Sequence, residues 1–315
     1  MWLAFLYMIL KNVIYGTSVF FTGSLSESVD VLDILALRFL MSFAVFFLLK
    51  QTRILKINVG IRDVFQKTER HPYVKHLLLA AVFEPVLYML FETLGITMSS
   101  GVTVAVILSL SPISACICEE LILKEKSSLL QKVFLGCGIF GAIYIAVNTG
   151  SAEGHNTVIG ILFLTLAVFS GSLFMVFSRK SSSHFSAFEV TYFSVLLGTI
   201  AFNAINVVRH LVRGDILAYF APYANVNNLV GFVFLAVVST IVATAMNNYA
   251  VSKMQVSTAA AFSGISTLVT VIIDVLCGSR LYLYHFIGFA FILIRMIGVS
   301  YLSIHKEKRL TTPHV

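Results

Sequence analysis

Charged residues are scarce in this chain of 315 residues, since Asp, Glu, Lys and Arg together make up only 12% of it. Soluble domains carry about 25% charged residues, so most of this surface cannot face water. Hydrophobic residues reach 58%, and the mean hydropathy is +0.92. In lipid every backbone N–H and C=O group must be satisfied within the protein, which leaves helices or a closed barrel. Continuous apolar runs such as ILFLTLAVFSGSLFMVF do not alternate as barrel strands do, and they predict an all-α integral membrane protein.

Motifs of nucleotide-dependent and hydrolytic proteins are also missing. The chain has no Walker loop, dinucleotide glycine motif, nucleophile elbow or zincin helix. The four cysteines lie in apolar runs and none of the eight histidines lies deep in an apolar segment, which disfavours a disulfide framework and a metal site. These absences predict a protein that is not an enzyme and that holds no cofactor or metal.

Ten segments are apolar over the roughly 20 residues that a helix needs to cross a bilayer. The third and fourth are separated only by GITMSSG. The first starts apolar, without a basic leader or a small-residue cleavage site, and is expected to be a retained span. The predicted spans are 2–22, 32–50, 74–95, 99–119, 129–149, 157–178, 188–208, 229–252, 256–277 and 282–304.

The basic residues collect in alternate loops. If the N-terminus is cytoplasmic, the cytoplasmic segments hold 16 of the 22 Lys and Arg residues, and the opposite loops hold three: Arg209, Arg213 and Arg280. Because cytoplasmic loops are enriched in Lys and Arg, both termini are predicted to be cytoplasmic. The net charge of +7 therefore does not indicate nucleic acid. The longest loop, 51–73, is basic and is expected to lie along the membrane surface.

The sequence also indicates an internal duplication. The segment FETLGITMSSGVTVAVILSLSP resembles NYAVSKMQVSTAAAFSGISTL, which follows 157 residues later. Each has a helix end, a short polar break with Ser, and then a helix of small residues. Since a five-span unit must insert in opposite orientations, we expect two inverted five-helix repeats, 1–150 and 151–305, and a basic cytoplasmic tail, 306–315. Inverted repeats around a midplane site are typical of secondary transporters.

Two segments of the first half carry a family resemblance. DILALRFLMSFAVFF contains Arg38 followed by Phe39, and LGITMSSGVTVAVILSLSPISACICEELILKEKSS contains Pro112. They resemble the second and fourth spans of the drug/metabolite transporter superfamily, of the type with two EamA domains. Lys124-Glu125 stands where that family has Gly-Glu, and the matching segment of the second half lacks the proline. The resemblance implies ten helices, cytoplasmic termini, a central cavity and alternating access, without specifying a substrate.

Ionisable residues inside the spans are the candidates for chemistry, because each costs about 2.5–3.5 kcal/mol at mid-span and usually faces a bundle interior. Glu84 and Glu92 share a broad face of the third span with Tyr88 between them, and Pro85 is expected to kink that helix. Glu92 or Glu84 could contact an amino group or exchange a proton. A structural ion pair with Arg38, or snorkelling to the interface, are the alternatives. The complete set is Lys11, Arg38, Glu84, Glu92, Asp274 and Arg295.

Further candidates lie on the first and eighth spans. Lys11, with Asn12 and Tyr15, could bind a carboxylate or phosphate or pair with a glutamate. Asn247 and Asn248 fall opposite Glu92 in the repeat alignment, where interhelical packing is the default role and substrate contact the second. Structural pairing or snorkelling is favoured for Arg295, and a wet outer edge for Asp274. The predicted substrate site is Lys11, Asn12, Tyr15, Glu84, Tyr88, Glu92, Asn247 and Asn248.

These features together predict a secondary transporter that exports a small metabolite, such as an amino acid, an amine or a related compound. A proton or another ion is the candidate coupling partner, and the lipid bilayer is the surrounding medium. The alternatives are a lipid-handling or intramembrane enzyme with a carboxylate site, and a membrane subunit that transports nothing. The compact two-unit form and the absence of any Asn-X-Ser/Thr sequon favour a bacterial inner membrane. The oligomeric state is left open.

Overall fold

A computed structural model describes residues 2–55, 57, 71–99, 101–149, 158–278, 280 and 282–311. Regular structure within these residues is helical throughout. Ten helices are long and apolar enough to span a membrane, which confirms the predicted all-α fold and span number. They are α1 (Trp2–Ser26), α2 (Val31–Gln51), α3 (Tyr73–Thr97), α4 (Thr103–Leu123), α5 (Leu129–Asn148), α6 (Val158–Ser181), α7 (Ala187–Arg213), α8 (Val226–Lys253), α9 (Val256–Ile273) and α10 (Leu283–His305).

Polar side chains mark several helix ends. Ser186 and Glu189 form a capping box at the start of α7, in which each side chain accepts a hydrogen bond from the other's backbone N–H. Gly214 ends that helix with φ 74°, a left-handed conformation that glycine adopts without strain. At the start of α2, Asp30 accepts a hydrogen bond from the backbone N–H of Leu32. These capping contacts define where α2 begins and where α7 begins and ends.

The spans of the two sequence halves interlock. Helix α2 packs on α7 and α8, α1 packs on α8 and α9, and α3 packs on α6 and α7. Helix α4 contacts α6 and α9, while α5 and α10 form an extensive pair with each other. The interior of the bundle is therefore walled by helices from both halves.

Four spans contain irregular helical segments between their ends. Helix α3 contains a π-helical segment at Val82–Leu87, and α8 contains one at Phe234–Ala243. Helix α4 is interrupted after Gly101–Leu108, and α9 is interrupted after Val256–Ala261. These are the third and fourth spans of each predicted five-helix unit. Irregular helices are tolerated in a membrane only where protein or a cavity satisfies the freed backbone groups. We therefore expect the four irregular segments to face the interior of the helix bundle.

A buried carboxylate joins α4 to α9. Glu119 is fully buried and accepts hydrogen bonds from the backbone N–H groups of Val256 (2.6 Å) and Ser257 (3.0 Å). These N–H groups belong to the first turn of α9, which has no intrahelical partner for them and carries the positive end of the helix dipole. Glu119 therefore caps a helix of the other half of the chain.

Lys124 stands where the resembled family has glycine, and its backbone conformation is one that glycine favours. Its φ of 58° and ψ of 22° lie in the left-handed region, where glycine is the usual residue. The following residue, Glu125, binds the guanidinium of Arg179 on α6 through both carboxylate oxygens, at 2.9 and 3.0 Å. The turn is thus kept although its glycine is replaced, and it directs Glu125 toward the second half of the chain.

Some predictions fall outside the described residues. Most of the loop expected along the membrane surface does so, at residues 56 and 58–70. The helix that contains α10 runs on to Thr311, so the described beginning of the predicted tail is helical, and residues 312–315 lie outside the description.

Replacing Glu119 with Gln should lower the free energy of unfolding by about 1–3 kcal/mol, because one backbone N–H at the start of α9 would lose its charged acceptor inside the protein. The measurement is thermal unfolding of the purified protein in detergent. Glu120→Gln is the matched control, since Glu120 forms a partly exposed ion pair with Lys132 and should cost less than about 1 kcal/mol. Equal losses in the two variants would contradict the role of Glu119.

Candidate functional site

Polar side chains from four spans converge in the interior between the halves, and we call this group the polar centre. Several of its members interact electrostatically across helices, as Lys11 does with Glu84 and Arg38 with Glu92. All members are half-buried or buried. The polar centre comprises Lys11 and Tyr15 of α1, Arg38 of α2, Glu84, Tyr88 and Glu92 of α3, and Thr240 and Thr244 of α8.

Direct contacts fix the orientation of several members. The Nε group of Arg38 donates to Thr240 Oγ1 at 2.9 Å, and the hydroxyls of Tyr15 and Thr244 lie 3.4 Å apart. These two contacts tie α1 and α2 to α8. The ammonium group of Lys11 lies 4.4 Å from the centroid of the Tyr15 ring, within the range of a cation–π interaction.

The four charged members form no ion pairs with one another. They are Lys11, Arg38, Glu84 and Glu92. Glu92 accepts a hydrogen bond from the Tyr88 hydroxyl at 2.7 Å, whereas Glu84 has no hydrogen bond to any residue that the structure describes. The structural ion pair between Arg38 and Glu92, one of the two main alternatives from the sequence, is not formed in this conformation. Two positive and two negative groups thus lie close enough to interact, yet each keeps capacity for a ligand.

Irregular backbone places the acidic group of α3. Within the π-helical segment, Glu84 has extended dihedral angles (φ −142°, ψ 124°) and precedes Pro85, so the predicted kink is confirmed at that position. On the other side of the centre, Thr240 lies in the π-helical segment of α8. Such segments occur frequently at functional sites, because the wider turn redirects side chains that a regular helix would aim elsewhere.

Glycine at position 198 lets α7 approach the kink. A Cβ atom there would lie 2.5 Å from Cγ of Pro85 and 2.8 Å from Cδ1 of Phe39, both closer than real contacts allow. Helix α7 therefore supports the kinked part of α3 and the residue next to Arg38 at the same point.

Three predicted site residues make no hydrogen bond to the polar centre among the described residues. Asn12 is 1% exposed and its amide donates to the carbonyl of Met8 in its own helix. Asn248 accepts from Ser178 and donates to Thr191, at 2.8 and 2.9 Å. Asn247 is buried at 3% exposure. The contacts of Asn12 and Asn248 favour the packing role over substrate contact.

Other members of the polar centre were not among the predicted site residues. Thr240 and Thr244 stand four residues apart in α8 and so share one helix face, but threonine is common in membrane helices and spacing alone gives no direction. Arg38 was considered only as a pairing partner. Its contact with Thr240 depends on how α2 packs on α8, which the sequence does not show.

A second polar cluster joins the beginning of α2 to the end of α7. Arg209 binds Asp30 and, at 2.8 Å, Asp33. The two ring nitrogens of His210 lie 2.8 Å from carboxylate oxygens of Asp33 and Asp215. Arg209 was expected in a loop, but α7 extends to Arg213, and the cluster ties the end of α7 to the beginning of α2.

Comparison with known proteins decides the family. The model of the EamA-like transporter family matches residues 2–147 and 158–301. The chain belongs to the EamA-like transporter family. The predicted family is therefore confirmed, and with ten apolar helices this EamA-like protein is an integral membrane protein.

Two individual proteins show the extent of the likeness. The chain is 28% identical over 311 residues to a Bacillus subtilis (strain 168) protein described as the uncharacterized transporter YcxC, covering 98% of this chain and 96% of that one. A solved crystal structure matches with a TM-score of 0.73 at 16% identity, covering 98% of this chain and 99% of the other. At that identity the structural likeness shows the shared fold alone.

Replacing Gly198 with Ala should lower the thermal unfolding midpoint, because the added methyl group has to displace Pro85 or Phe39 and overpacking of this kind costs about 1–3 kcal/mol. The measurement is thermal unfolding in detergent. Gly136→Ala is the matched control: a Cβ there meets nothing within 4 Å, and alanine has the higher helix propensity, so stability should be unchanged or raised. Equal midpoints for both variants would show that the approach of α7 to the kink is not tight.

Proposed function

We propose that this EamA-like protein is a secondary transporter that exports a small metabolite, such as an amino acid, an amine or a related compound, through alternating access to the polar centre. The observation that carries the proposal is the convergence of Lys11, Arg38, Glu84 and Glu92 without ion pairs among them. Charges inside a membrane are retained where they face a cavity or a substrate pathway, since elsewhere their desolvation is too costly.

The residues of the polar centre suit a ligand that carries an amino group, an acidic group, or both. Glu84 and Glu92 can accept hydrogen bonds from an ammonium group, while Lys11 and Arg38 can donate to a carboxylate. Tyr88 donates to one oxygen of Glu92, and the other oxygen has no hydrogen bond to a described residue. A ligand bound between these groups would supply the missing counter-charges, which lowers the cost of burying them.

Coupling in this proposal uses an ion gradient. A carboxylate can bind a proton or another cation in one state and the substrate amino group in another. Such an exchange couples the movement of the ion to the movement of the substrate. Residues 1–150 and 151–305 act as the two units that rock against each other, and α8 of the second unit supplies Thr240 and Thr244 to charges carried by the first. A site near the midplane between two such units is typical of secondary transporters, which supports the proposal.

The proposed orientation places both termini in the cytoplasm of a bacterium and the protein in the inner membrane. It is supported by the 16 to 3 distribution of basic residues between alternate loops. In this orientation the cluster of Asp33, Arg209 and His210 lies on the outer side, and the Glu119 and Glu125 contacts lie on the inner side. Each of these two groups of contacts would close one side of the protein and would break when that side opens during the transport cycle.

The experiment that tests the function begins with a thermal-shift screen of the purified protein against metabolites, because a ligand stabilises the state to which it binds. Compounds that raise the unfolding midpoint are then loaded into proteoliposomes, and their efflux is measured with and without a proton gradient. Failure of every amino acid, amine and organic acid to move under any gradient would contradict a transport function.

Replacing Glu92 with Gln should reduce the efflux rate about tenfold or more, or flatten its dependence on pH, because a hydrogen bond to a charged group contributes about 1.5–3 kcal/mol. Gln keeps an acceptor for the Tyr88 hydroxyl, so folding should be nearly unaffected. The measurement is efflux by proteoliposomes at several pH values, with Glu120→Gln as the control outside the polar centre. A Glu92→Gln variant that is destabilised but transports normally would show that Glu92 is only structural.

A further inference from the structure

Arg295 occupies a position that the proposed transport cycle does not explain. It lies near the middle of α10 and is 2% exposed, so it neither snorkels nor faces the lipid. The expected structural ion pair is also absent, since no described carboxylate pairs with it. Its Nε atom is buried without a hydrogen-bond partner, and its Nη2 atom makes only a 3.5 Å contact with Ser263 Oγ. A buried cation without a counter-charge is strongly unfavourable.

The space for this side chain is built by two glycines on neighbouring spans. A Cβ atom at Gly138 of α5 would lie 2.2 Å from Cδ and 2.5 Å from Nε of Arg295. A Cβ atom at Gly264 of α9 would lie 2.6 Å from Nη2. The guanidinium group is therefore seated between α5, α9 and α10 by the absence of two side chains, and its position is not an incidental consequence of loose packing.

The guanidinium group meets α9 where that span is interrupted. The second part of α9 is a helix of 13 residues, Gly264–Leu276, and its first residue is the glycine against Nη2. The N–H groups of Ile265 and Ser266 in its first turn already donate to the carbonyl oxygens of Phe262 and Ser263, so the guanidinium group is the source of positive charge at this break. No described acidic group pairs with that guanidinium group, and an uncompensated buried cation favours a nearby anion.

We propose that Arg295 and the Ser263 hydroxyl bind a small monovalent anion such as chloride at the break in α9. The anion supplies the counter-charge that Arg295 lacks and accepts hydrogen bonds from the guanidinium and hydroxyl groups. Arg295 lies about 18 Å along the helix from Leu283 and about 15 Å from His305, which places the site beyond the reach of lipid phosphate groups.

The site lies on the side of α9 that faces α10, whereas the opposite side of the same helix contacts α1. A Cβ atom at Gly16 of α1 would lie 2.6 Å from the carbonyl oxygen of Ser266, and Thr270 donates to the carbonyl of Gly16 at 3.3 Å. Gly16 follows Tyr15 of the polar centre. Anion binding therefore stabilises the helix against which the polar centre is packed, and the inference stands whether or not the proposed substrate is correct.

The test measures thermal unfolding of the purified wild-type protein in sodium gluconate to which chloride, bromide or nitrate is added at constant ionic strength. We expect a saturable rise of several degrees in the unfolding midpoint with at least one of these anions. Arg295→Met, which keeps much of the apolar stem, should show the same midpoint in all salts. A wild-type midpoint that does not depend on the anion overturns the proposal.

Two further variants keep the test decisive if Arg295→Met does not fold. Ser263→Ala retains the arginine and should weaken the apparent chloride affinity about fivefold, as expected for the loss of one hydrogen bond. Arg38→Gln removes the arginine of the polar centre and should leave the chloride response unchanged. A response that survives Ser263→Ala in full and disappears in Arg38→Gln would place the anion at the polar centre and overturn the assignment to Arg295.

Discussion

The cost of placing an ionisable group in hydrocarbon is the constraint on which the interior of this protein depends. Each such group needs water, an opposite charge or a hydrogen-bonding partner within reach. Glu119 accepts hydrogen bonds from backbone N–H groups of α9, and Asp33 contacts the Arg209 guanidinium group and the His210 ring. In both cases the charge of one sequence half is satisfied by the other half. The polar contacts that relieve this cost therefore also hold the two halves together.

The polar centre differs from those two arrangements because its charges are only partly satisfied. Arg38 has a hydroxyl partner and Glu92 a phenol, whereas Glu84 has no hydrogen bond among the described residues. In a protein of a transporter family, charged side chains that lie close together without ion pairs can gain free energy by binding a substrate. Side chains already joined in a salt bridge would gain less. The irregular segments of α3 and α8 serve the same purpose, since they contain Glu84 and Thr240 of the polar centre.

Hydropathy alone predicted the ten spans, because burial in lipid imposes long apolar runs that are visible in one dimension. The kink at Glu84 was predictable for a similar reason, since Pro85 acts on the backbone locally. The partners of the charged residues were not predictable in this way. Whether Arg38 meets Glu92 or Thr240 depends on how α2 packs on α8. The packing of α5, α9 and α10 around Arg295 brings no acidic group of the described residues to it. The left-handed turn at Lys124 could not be predicted from the sequence, because lysine stands there in place of glycine, the residue that usually indicates such a turn.

The central claim is that the polar centre faces a water-accessible space between the halves, and cysteine labelling tests it most directly. In a variant without the four native cysteines, Thr244→Cys and Val242→Cys are treated in membranes with a small water-soluble thiol reagent. Thr244 belongs to the polar centre, while Val242, on the same helix, is 37% exposed on the apolar surface. The account predicts fast labelling at position 244 and little at position 242. Equal rates, or labelling only at position 242, would contradict it.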